Sequence, residues 1–319
     1  MGEFPNEELA VKGKLLTDWL VYLVVRVFVC VIQTMRMESC HQLSKVLAFL
    51  AGDVIRLRGD VVDENLRTAF STIDEAGRRR LSRAMWEHLF VMVCEIAQAP
   101  RKIHRNNWHQ FVYVHRKREM MKYLLDPRPI VLCSGHFGNF EIGGFVTSLL
   151  GFPSYTVARS LDNPFLDRYV KRFREANGQF MLPKQGSAAA IDSVLRAGGQ
   201  VVVLGDQSAG PKGCWIDFFG KPASYHKAIA LFPLISGAPL LLVYSIRSGR
   251  PLHFEMGMTD VADPKTLPVE LQGVQPLMEW YNGALERLVQ RTPSQYWWVH
   301  RRWKGEPPRR RKPAASRAA

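Results

Sequence analysis

Apolar residues with helical spacing dominate the first third of the chain. Two sets recur at intervals of three and four positions, as they do on one face of a helix: Leu43, Val46, Leu47 and Leu50, and then Leu81, Met85, Leu89 and Met92. The pattern therefore predicts a helical region that extends to about Pro127.

From Pro129 to about Met256, short apolar runs alternate with helical segments. Four of these runs are typical of buried strands: residues 130–133, 155–158, 201–204 and 240–244. Strands that alternate with helices indicate βαβ units and a largely parallel sheet. We therefore expect an α/β fold with a mostly parallel central sheet flanked by helices, preceded by an N-terminal helical membrane-associating region.

These changes of pattern divide the chain into three parts. Residues 1–127 are expected to be helical and to include the membrane-associating helix at residues 15–35. Residues 128–304 are expected to form the α/β domain. Residues 305–319 are rich in Pro and Arg, which predicts a basic, disordered tail.

The longest apolar stretch runs from Trp19 to Ile32. It starts late, follows acidic residues and lacks a small-residue cleavage site, so it does not resemble a cleavable signal peptide. It covers 14 residues with Arg26 in its middle, whereas a membrane span needs about 20. A buried helix of a globular domain is one interpretation. We favour a helix that lies in, or dips into, one leaflet, where Arg26 can reach the headgroups.

The chain is strongly basic, with a net charge of +14 and a pI of about 9.8. Such a charge indicates an anionic partner, namely nucleic acid, acidic lipid headgroups or an acidic carrier protein. The sequence lacks zinc-finger, RNP and basic-zipper patterns, which disfavours nucleic acid. Its five cysteines are scattered and form no CxxC pair, so neither a disulfide framework nor a metal site is expected.

The segment Ser-Gly-His-Phe-Gly-Asn-Phe-Glu at residues 134–141 directly follows a predicted strand. His136 would then lie at the carboxyl edge of the sheet, where open α/β sheets bind their ligands, and Glu141 would lie early in the next helix. A histidine can take the proton of a hydroxyl, and a carboxylate behind it fixes the tautomer and stabilises the imidazolium. We therefore predict His136 and Glu141 to be the catalytic pair. The spacing alone is common, and a surface histidine beside a helical glutamate would show it too.

Residues 136–141 resemble the HX4D/E motif of glycerolipid acyltransferases. Within that superfamily, further segments resemble the late acyltransferases of lipid A biosynthesis, the lauroyl/myristoyl transferase family. They are VDENLRTAF at 62–70, RSLDNP at 159–164, GDQ at 205–207 followed by DFFG at 217–220, and QYWWVHRRW at 295–303. The likeness extends from about residue 15 to 304, and the ordered motifs together are far more specific than His136 and Glu141 alone.

The resemblance implies an acyltransferase domain at 128–304, held on the cytoplasmic face of the inner membrane by the N-terminal helix. Its donor would be a thioester of acyl-carrier protein or coenzyme A, and its acceptor a hydroxyl of a membrane glycolipid, first of all a lipid A precursor. No cofactor and no covalent acyl-enzyme are expected. Two residues depart from the family pattern: the family often has proline where this chain has Ser160, and it commonly has threonine near the position of Ser224. The donor could therefore be a different one, and the acceptor could be another glycolipid or a phospholipid.

Three further candidates follow predicted strands. Arg159 ends the strand at 155–158, which should lie beside the strand at 130–133, so its cation could stabilise the thioester oxyanion or hold a phosphate. A plain surface arginine is the alternative. Asp206 and Gln207 end the next strand and could orient a headgroup or Arg159, or merely cap a turn.

Four more residues are candidates for binding substrate. Asn139 and Asn163 could each hydrogen-bond the substrate or cap the helix that follows. Arg301 and Arg302 lie among three tryptophans and could form an interfacial phosphate site, or be the solvated cations of a helix with an aromatic core face.

Two other classes of function remain open. A non-catalytic lipid-binding or membrane-binding protein could have the same fold, although the intact His136 and Glu141 argue against it. A nucleic-acid-binding protein is suggested by the pI alone.

Overall fold

Four helices occupy most of the first hundred residues. In the computed structural model, which describes residues 5–308, they are α1 (Pro5–Thr34), α2 (Met37–Phe49), α3 (Gly59–Ala69) and α4 (Glu75–Lys102). A π-helical turn, Leu50–Val54, follows α2 directly. The helical spacing seen in the sequence is therefore confirmed for this part of the chain.

The central sheet has seven strands in the order β1-β9-β8-β2-β5-β3-β4. They are β1 (Val112–His115), β2 (Ile130–Ser134), β3 (Ser154–Ala158), β4 (Gln179–Pro183), β5 (Gln200–Leu204), β8 (Leu240–Arg247) and β9 (Phe254–Ala262). Neighbouring strands are parallel except for β8 and β9, which are antiparallel. Every residue of β2 is buried, as expected for a strand covered on both faces. The predicted α/β class and mostly parallel sheet are confirmed.

Helices flank the sheet, and a separate hairpin follows β5. The helices are α5 (Lys117–Leu124), α6 (Phe140–Leu149), α7 (Pro164–Glu175), α8 (Ser187–Arg196), α9 (Ala228–Ser236) and α10 (Val274–Arg291). Short 3₁₀ turns lie at Trp108–Gln110, Val269–Leu271 and Pro293–Gln295. The hairpin pairs β6 (Cys214–Phe218) with β7 (Lys221–Tyr225) through a two-residue loop, Phe219-Gly220, in which both φ angles are positive.

Residues 1–127 are not helical throughout, which corrects one expectation. β1 lies in this region and pairs with β9 at one edge of the sheet, and β4 occupies the other edge. Both edge strands are only partly buried and carry polar residues, so their sequences lack the apolar runs that mark β2 and β8. The division of the chain at residues 127 and 128 stays a prediction, and the predicted tail lies largely outside the described residues.

β5 lies between β2 and β3, so the expectation that β2 and β3 are neighbours is wrong. Sequential strands are neighbours in only about two-thirds of cases, and here the chain first builds the β3-β4 edge before it returns to β2. The consequence is that the residues after β5, rather than those after β3, adjoin the residues after β2.

The apolar part of α1 is longer than the sequence suggested. Gly13–Thr34 is a 22-residue apolar segment with a mean hydropathy of 2.2, and only 6 % of its most apolar window is buried. By length and composition it could cross a membrane, which corrects the 14-residue estimate. Its last turn nevertheless belongs to the folded core: Ile32 is buried, and its carbonyl accepts a hydrogen bond from Gln98 of α4 at 2.9 Å.

Candidate active site

The site is built where β2 and β5 end side by side. Ser134 and Leu204 are register partners, and each is followed by a glycine and then by a polar residue, His136 or Asp206. A Cβ atom on the glycine between Ser134 and His136 would lie 3.1 Å from Asp206 Oδ2. A side chain on this glycine would press against Asp206, so the absence of one eases the close approach of the two strand ends.

His136 and Asp206 are joined by two hydrogen bonds. Nδ1 of His136 lies 2.7 Å from Asp206 Oδ1, and the His136 backbone N–H donates to Asp206 Oδ2 at 2.8 Å. Because a carboxylate only accepts, Nδ1 carries the proton, and Nε2 of the neutral ring has a free lone pair. Gln207 lies with its side-chain nitrogen 3.3 Å from this Nε2, so its amide can donate to the lone pair.

The protonation equilibria of this pair follow from burial and mutual attraction. Burial lowers the pKa of His136, but the charge and hydrogen bond of Asp206, together with the charge of Glu141, outweigh burial and raise that pKa above its ordinary value. Burial raises the pKa of Asp206, yet His136 and the charge of Arg302 bring it down to about 2. The pair therefore favours a carboxylate beside a histidine that titrates above its usual range.

Glu141 does not make the predicted hydrogen bond with His136. Its two carboxylate oxygens are instead bound by the guanidinium of Arg174 from α7, through Nε at 3.0 Å and through Nη2. The helix position of Glu141 was predicted correctly, since it is the second residue of α6. The carboxylate that orients the histidine is Asp206. Sequence reasoning missed this role because it assumed that β2 and β3 are neighbours, although the glycine and polar residue after each of β2 and β5 were a usable signal.

The turn after His136 is held by the C-terminal segment of the chain. Gly138 has φ +62°, and a Cβ there would lie 2.0 Å from the Ser245 carbonyl oxygen, so this position tolerates only glycine. Its N–H donates to the carbonyl of Gln295 at 2.8 Å, and the N–H of Trp297 donates to the carbonyl of His136 at 3.0 Å. The predicted motifs at 134–141 and 295–303 thus form one structural unit.

Aromatic side chains surround the His136 ring. The centroids of Trp297, Phe140 and His300 lie 5.2, 5.4 and 5.1 Å from its own. Burial and repulsion by His136 lower the pKa of His300, so its ring is neutral near pH 7. Within the described residues, the buried Trp297 Nε1 and His300 Nε2 have no hydrogen-bond partner. Sequence reasoning singled out the two arginines of this segment and missed His300, although it quoted the motif that contains it.

Arg302 is not part of an interfacial phosphate site. It is 2 % exposed, its guanidinium lies 3.9 Å from the ring centroid of Tyr225, and Nη1 donates to the Ser224 carbonyl at 3.0 Å. Its charge acts on the site from within the core, by lowering the pKa of Asp206. Arg301 is exposed, and its predicted binding role stays a prediction.

Arg159 lies away from His136 because β5 separates their strands. Its side chain is 76 % exposed and donates to Asp162 at 3.0 Å. The argument that placed this guanidinium beside His136 is therefore wrong in its premise, and a part for Arg159 in binding or catalysis stays a prediction.

The two candidate asparagines both cap helices. Asn139 is fully buried, accepts from Ile142 N–H at 3.2 Å at the start of α6, and donates to Glu95 at 2.9 Å. Asn163 accepts from two N–H groups at the start of α7 and donates to the Asp18 carbonyl of α1 at 2.7 Å. Neither side-chain amide faces His136 through a hydrogen bond. Within residues 5–308, no cluster of three His, Cys, Asp or Glu residues could hold a metal ion.

Comparison with known proteins shows the family to which the chain belongs. The sequence model of one family, the bacterial lipid A biosynthesis acyltransferases, matches residues 8–305. The lipid A biosynthesis lauroyltransferase of Escherichia coli K12 is 24 % identical over 295 residues, which cover 91 % of this chain and 92 % of that protein. The palmitoleoyltransferase of the same organism is 25 % identical over 182 residues, 56 % of this chain and 57 % of its own length.

A solved structure is also similar, at a greater distance. The 1-acyl-sn-glycerophosphate acyltransferase of Thermotoga maritima covers 82 % of this chain and 100 % of its own, with 14 % identity and a TM-score of 0.39. The match of the family model along nearly the whole sequence is decisive, and it agrees with the resemblance noted in the motifs. The chain belongs to the bacterial lipid A biosynthesis acyltransferases.

Proposed function

We propose that this protein transfers a fatty acyl chain from an acyl-thioester to a hydroxyl of a membrane glycolipid, in the first place a lipid A precursor. The observation that carries the proposal is the His136–Asp206 pair at the carboxyl edge of the sheet, with the Nε2 lone pair directed away from the carboxylate. Membership of the family supports the acceptor class, and His136 supplies a base of the kind that hydroxyl attack needs.

The proposed reaction needs no acylated side chain. The acceptor oxygen attacks the thioester carbonyl carbon while Nε2 of His136 takes the hydroxyl proton, and Asp206 stabilises the imidazolium that forms. The tetrahedral intermediate then loses the thiolate as the C–S bond breaks, and His136 returns the proton to that sulfur. An ester and a free thiol leave the enzyme, and the His136–Asp206 pair, which we call the dyad, returns to its starting protonation state. Gln207 occupies the hydroxyl position beside Nε2 and has to move aside first.

Glu141 and Arg174 have a separate part in this proposal. Their paired charges lie near the dyad, and the negative charge of Glu141 helps to raise the pKa of His136. Arg174 belongs to α7, whose N-terminal end is bonded to α1 through Asn163 and Asp18. We propose that this pair fixes α7 beside the site rather than taking part in proton transfer.

The location of the protein at a membrane is inferred from α1, and the nature of the acyl donor from the net charge and the family resemblance. The exposed apolar face of α1 suits a lipid bilayer, which would bring the site to a membrane-bound acceptor at the cytoplasmic face of the inner membrane. The net charge of +14 favours an anionic donor, and both acyl-carrier protein and coenzyme A are anionic. We propose acyl-carrier protein ahead of coenzyme A because the motifs resemble a family that usually uses the carrier protein.

The donor test compares lauroyl-carrier protein with lauroyl-coenzyme A on the full chain in phospholipid vesicles that contain a lipid A precursor. We expect kcat/KM to be higher with the carrier protein and to fall steeply between about 50 and 200 mM salt, because charge steers the encounter. His136→Ala serves as the inactive control. Equal rates with both donors and no dependence on salt would contradict the carrier-protein assignment. Absence of transfer from either donor would contradict the function itself.

The dependence of kcat on pH should show the raised pKa of His136. Burial lowers that pKa, but Asp206 and Glu141 raise it beyond the ordinary value of about 6.5. The neutral ring, which is the base, is populated only above the raised pKa, so kcat should fall as pH decreases, with a midpoint above about 6.5. The measurement is kcat from pH 5 to 9 with saturating substrates. A kcat that stays constant down to pH 5 would contradict the role of His136, because no group with a pKa above about 6.5 would then control the reaction.

A further inference from the structure

A buried ion pair lies beneath the turn that carries His136. Glu95 of α4 is 0 % exposed, and Arg247 at the end of β8 binds both of its oxygens, at 2.6 and 2.7 Å. Such a pair gains little net stability over an apolar pair of the same volume, because both charges must be stripped of water. Its presence in the core therefore calls for a role other than adding to the free energy of unfolding.

The ion pair is linked to the residues directly after His136. Asn139 donates its side-chain N–H to Glu95 at 2.9 Å. Arg247 lies 3.0 Å from His88 Nδ1, and because an arginine only donates, this nitrogen accepts. His88 Nε2 then carries the proton and donates to the Gly138 carbonyl at 3.2 Å. Burial and the charge of Arg247 lower the pKa of His88 to about 3, which keeps the ring in this neutral form.

Gln295 completes the network from the C-terminal side. Its side-chain amide makes two hydrogen bonds with the Arg247 backbone, both at 2.9 Å, and its own carbonyl accepts from the Gly138 N–H at 2.8 Å. The N–H and the carbonyl of Gly138 are therefore both fixed by residues of one network. Asp206 holds His136 from one side of the turn, and this network holds Gly138 and Asn139 from the other.

We propose that Glu95 and Arg247 are positioning residues, which act through Gly138 and Asn139 to keep the His136 imidazole in hydrogen-bond register with Asp206. This inference rests on the proposed function of His136 as the base. If the turn loosens, the bonds of His136 to Asp206 lengthen on average. The proton-accepting Nε2 is then misplaced, and the carboxylate raises the pKa of His136 less.

The test uses two substitutions that change charge in opposite directions, Glu95→Gln and Arg247→Gln. Each should lower kcat at least about 10-fold with KM nearly unchanged, since small misplacements of a catalytic group are costly. Both should also move the acid limb of the kcat–pH profile to lower pH. A direct effect of the lost charge on His136 would instead move the limb down in Glu95→Gln and up in Arg247→Gln, which would overturn the inference.

Asp263→Asn is the matched control. Asp263 and Arg128 form a second, largely buried ion pair, with bonds of 2.8 and 2.9 Å. It lies at the amino-terminal ends of β2 and β8, whereas His136 follows the carboxyl end of β2. Its loss should reduce thermal stability yet change kcat less than about twofold and leave the pH limb in place. If all three variants lose kcat in proportion to stability, the network is structural only and the inference is wrong.

A milder variant covers the case in which a charge left without its partner prevents folding. His88→Phe removes the bond to Gly138 without changing a buried charge, and it should shift the acid limb in the same direction as the two charge variants. An unshifted limb in a folded His88→Phe protein would contradict the inference. Failure of the proposed function is recognised separately: the wild type would then transfer no acyl group, or His136→Ala would transfer it as fast as the wild type.

Discussion

Replacing Asp206 by asparagine is expected to lower kcat by about 10³-fold to 10⁴-fold while KM changes little. The isosteric amide fills the same space next to the glycine at residue 135, but its N–H₂ group can donate to Nδ1 of His136. The opposite tautomer would then be favoured, with the proton on Nε2, and the base would be lost. A change of this kind costs about 10⁴ in kcat in a Ser-His-Asp triad. The measurement is kcat and KM with one acyl-thioester and one acceptor.

The controls for this prediction come from the same chain. Asp192→Asn removes a carboxylate that pairs with Arg196 on the surface of α8, and it should leave kcat within about twofold of the wild type. His136→Ala combined with Asp206→Asn should be no slower than His136→Ala alone, because residues that act as a unit are not additive. A double variant much slower than either single variant would show that Asp206 acts independently of His136.

Double variants can also distinguish the role of Glu141 from that of the dyad. Glu141→Gln should lower activity, but adding it to Arg174→Gln should cost little more, because the structure pairs these two side chains. The family motif places this carboxylate five residues after the histidine, so the sequence alone could not distinguish a direct partner from a neighbouring one.

Deleting residues 1–27 is expected to release the protein from membranes almost completely. This cut removes most of the exposed apolar segment of α1 and stops before Ile32 and Gln33, which pack on α4 and hydrogen-bond Gln98 and Ala97. Burial of this many apolar side chains in a bilayer exceeds what screened surface charge can supply. The measurement is the share of protein that stays in the membrane fraction after carbonate and high-salt washes.

Removal of residues 305–319 is the matched control for the basic tail. That variant should stay in the membrane fraction through both washes, as should the intact chain. If high salt releases the intact chain, or if the 1–27 deletion stays bound, attachment is electrostatic or resides elsewhere, and the role given to α1 is wrong.

Most of the central sheet could be predicted from the sequence because its inner strands are buried on both faces. The apolar runs of β2, β5 and β8 are typical of buried strands. The start of α7 could also be predicted, because Asn163 and Pro164 mark it. The position of His136 at the carboxyl edge followed from β2 alone. The edge strands β1 and β4, the inner strand β9 and the β6-β7 hairpin were not predicted. Polar residues and glycine interrupt β9, and each of the other strands is only four or five residues long.

The glycine and polar residue after β2 and after β5 mark His136 and Asp206 as candidates, but the sequence does not show that the two meet, because strand order is not encoded locally. Glu141 is close in sequence, whereas Asp206 is separated by 70 residues and meets His136 only because β5 inserts between β2 and β3. The same insertion separates Arg159 from the dyad. Arg302 was misjudged for a different reason: an arginine in a tryptophan-rich segment is usually solvated, and here Tyr225 and the Ser224 carbonyl receive it in the core.

The most direct test of the central claim is single-turnover acyl transfer by the purified full chain in lipid vesicles, followed by mass spectrometry of both lipid and protein. The account predicts that a lipid A precursor gains one acyl group from the thioester, that the protein mass never increases by an acyl group, and that His136→Ala and Asp206→Asn form product at least about 10³-fold more slowly. Product formed at the wild-type rate by either variant, or an acylated protein that appears before the lipid product, would contradict the account.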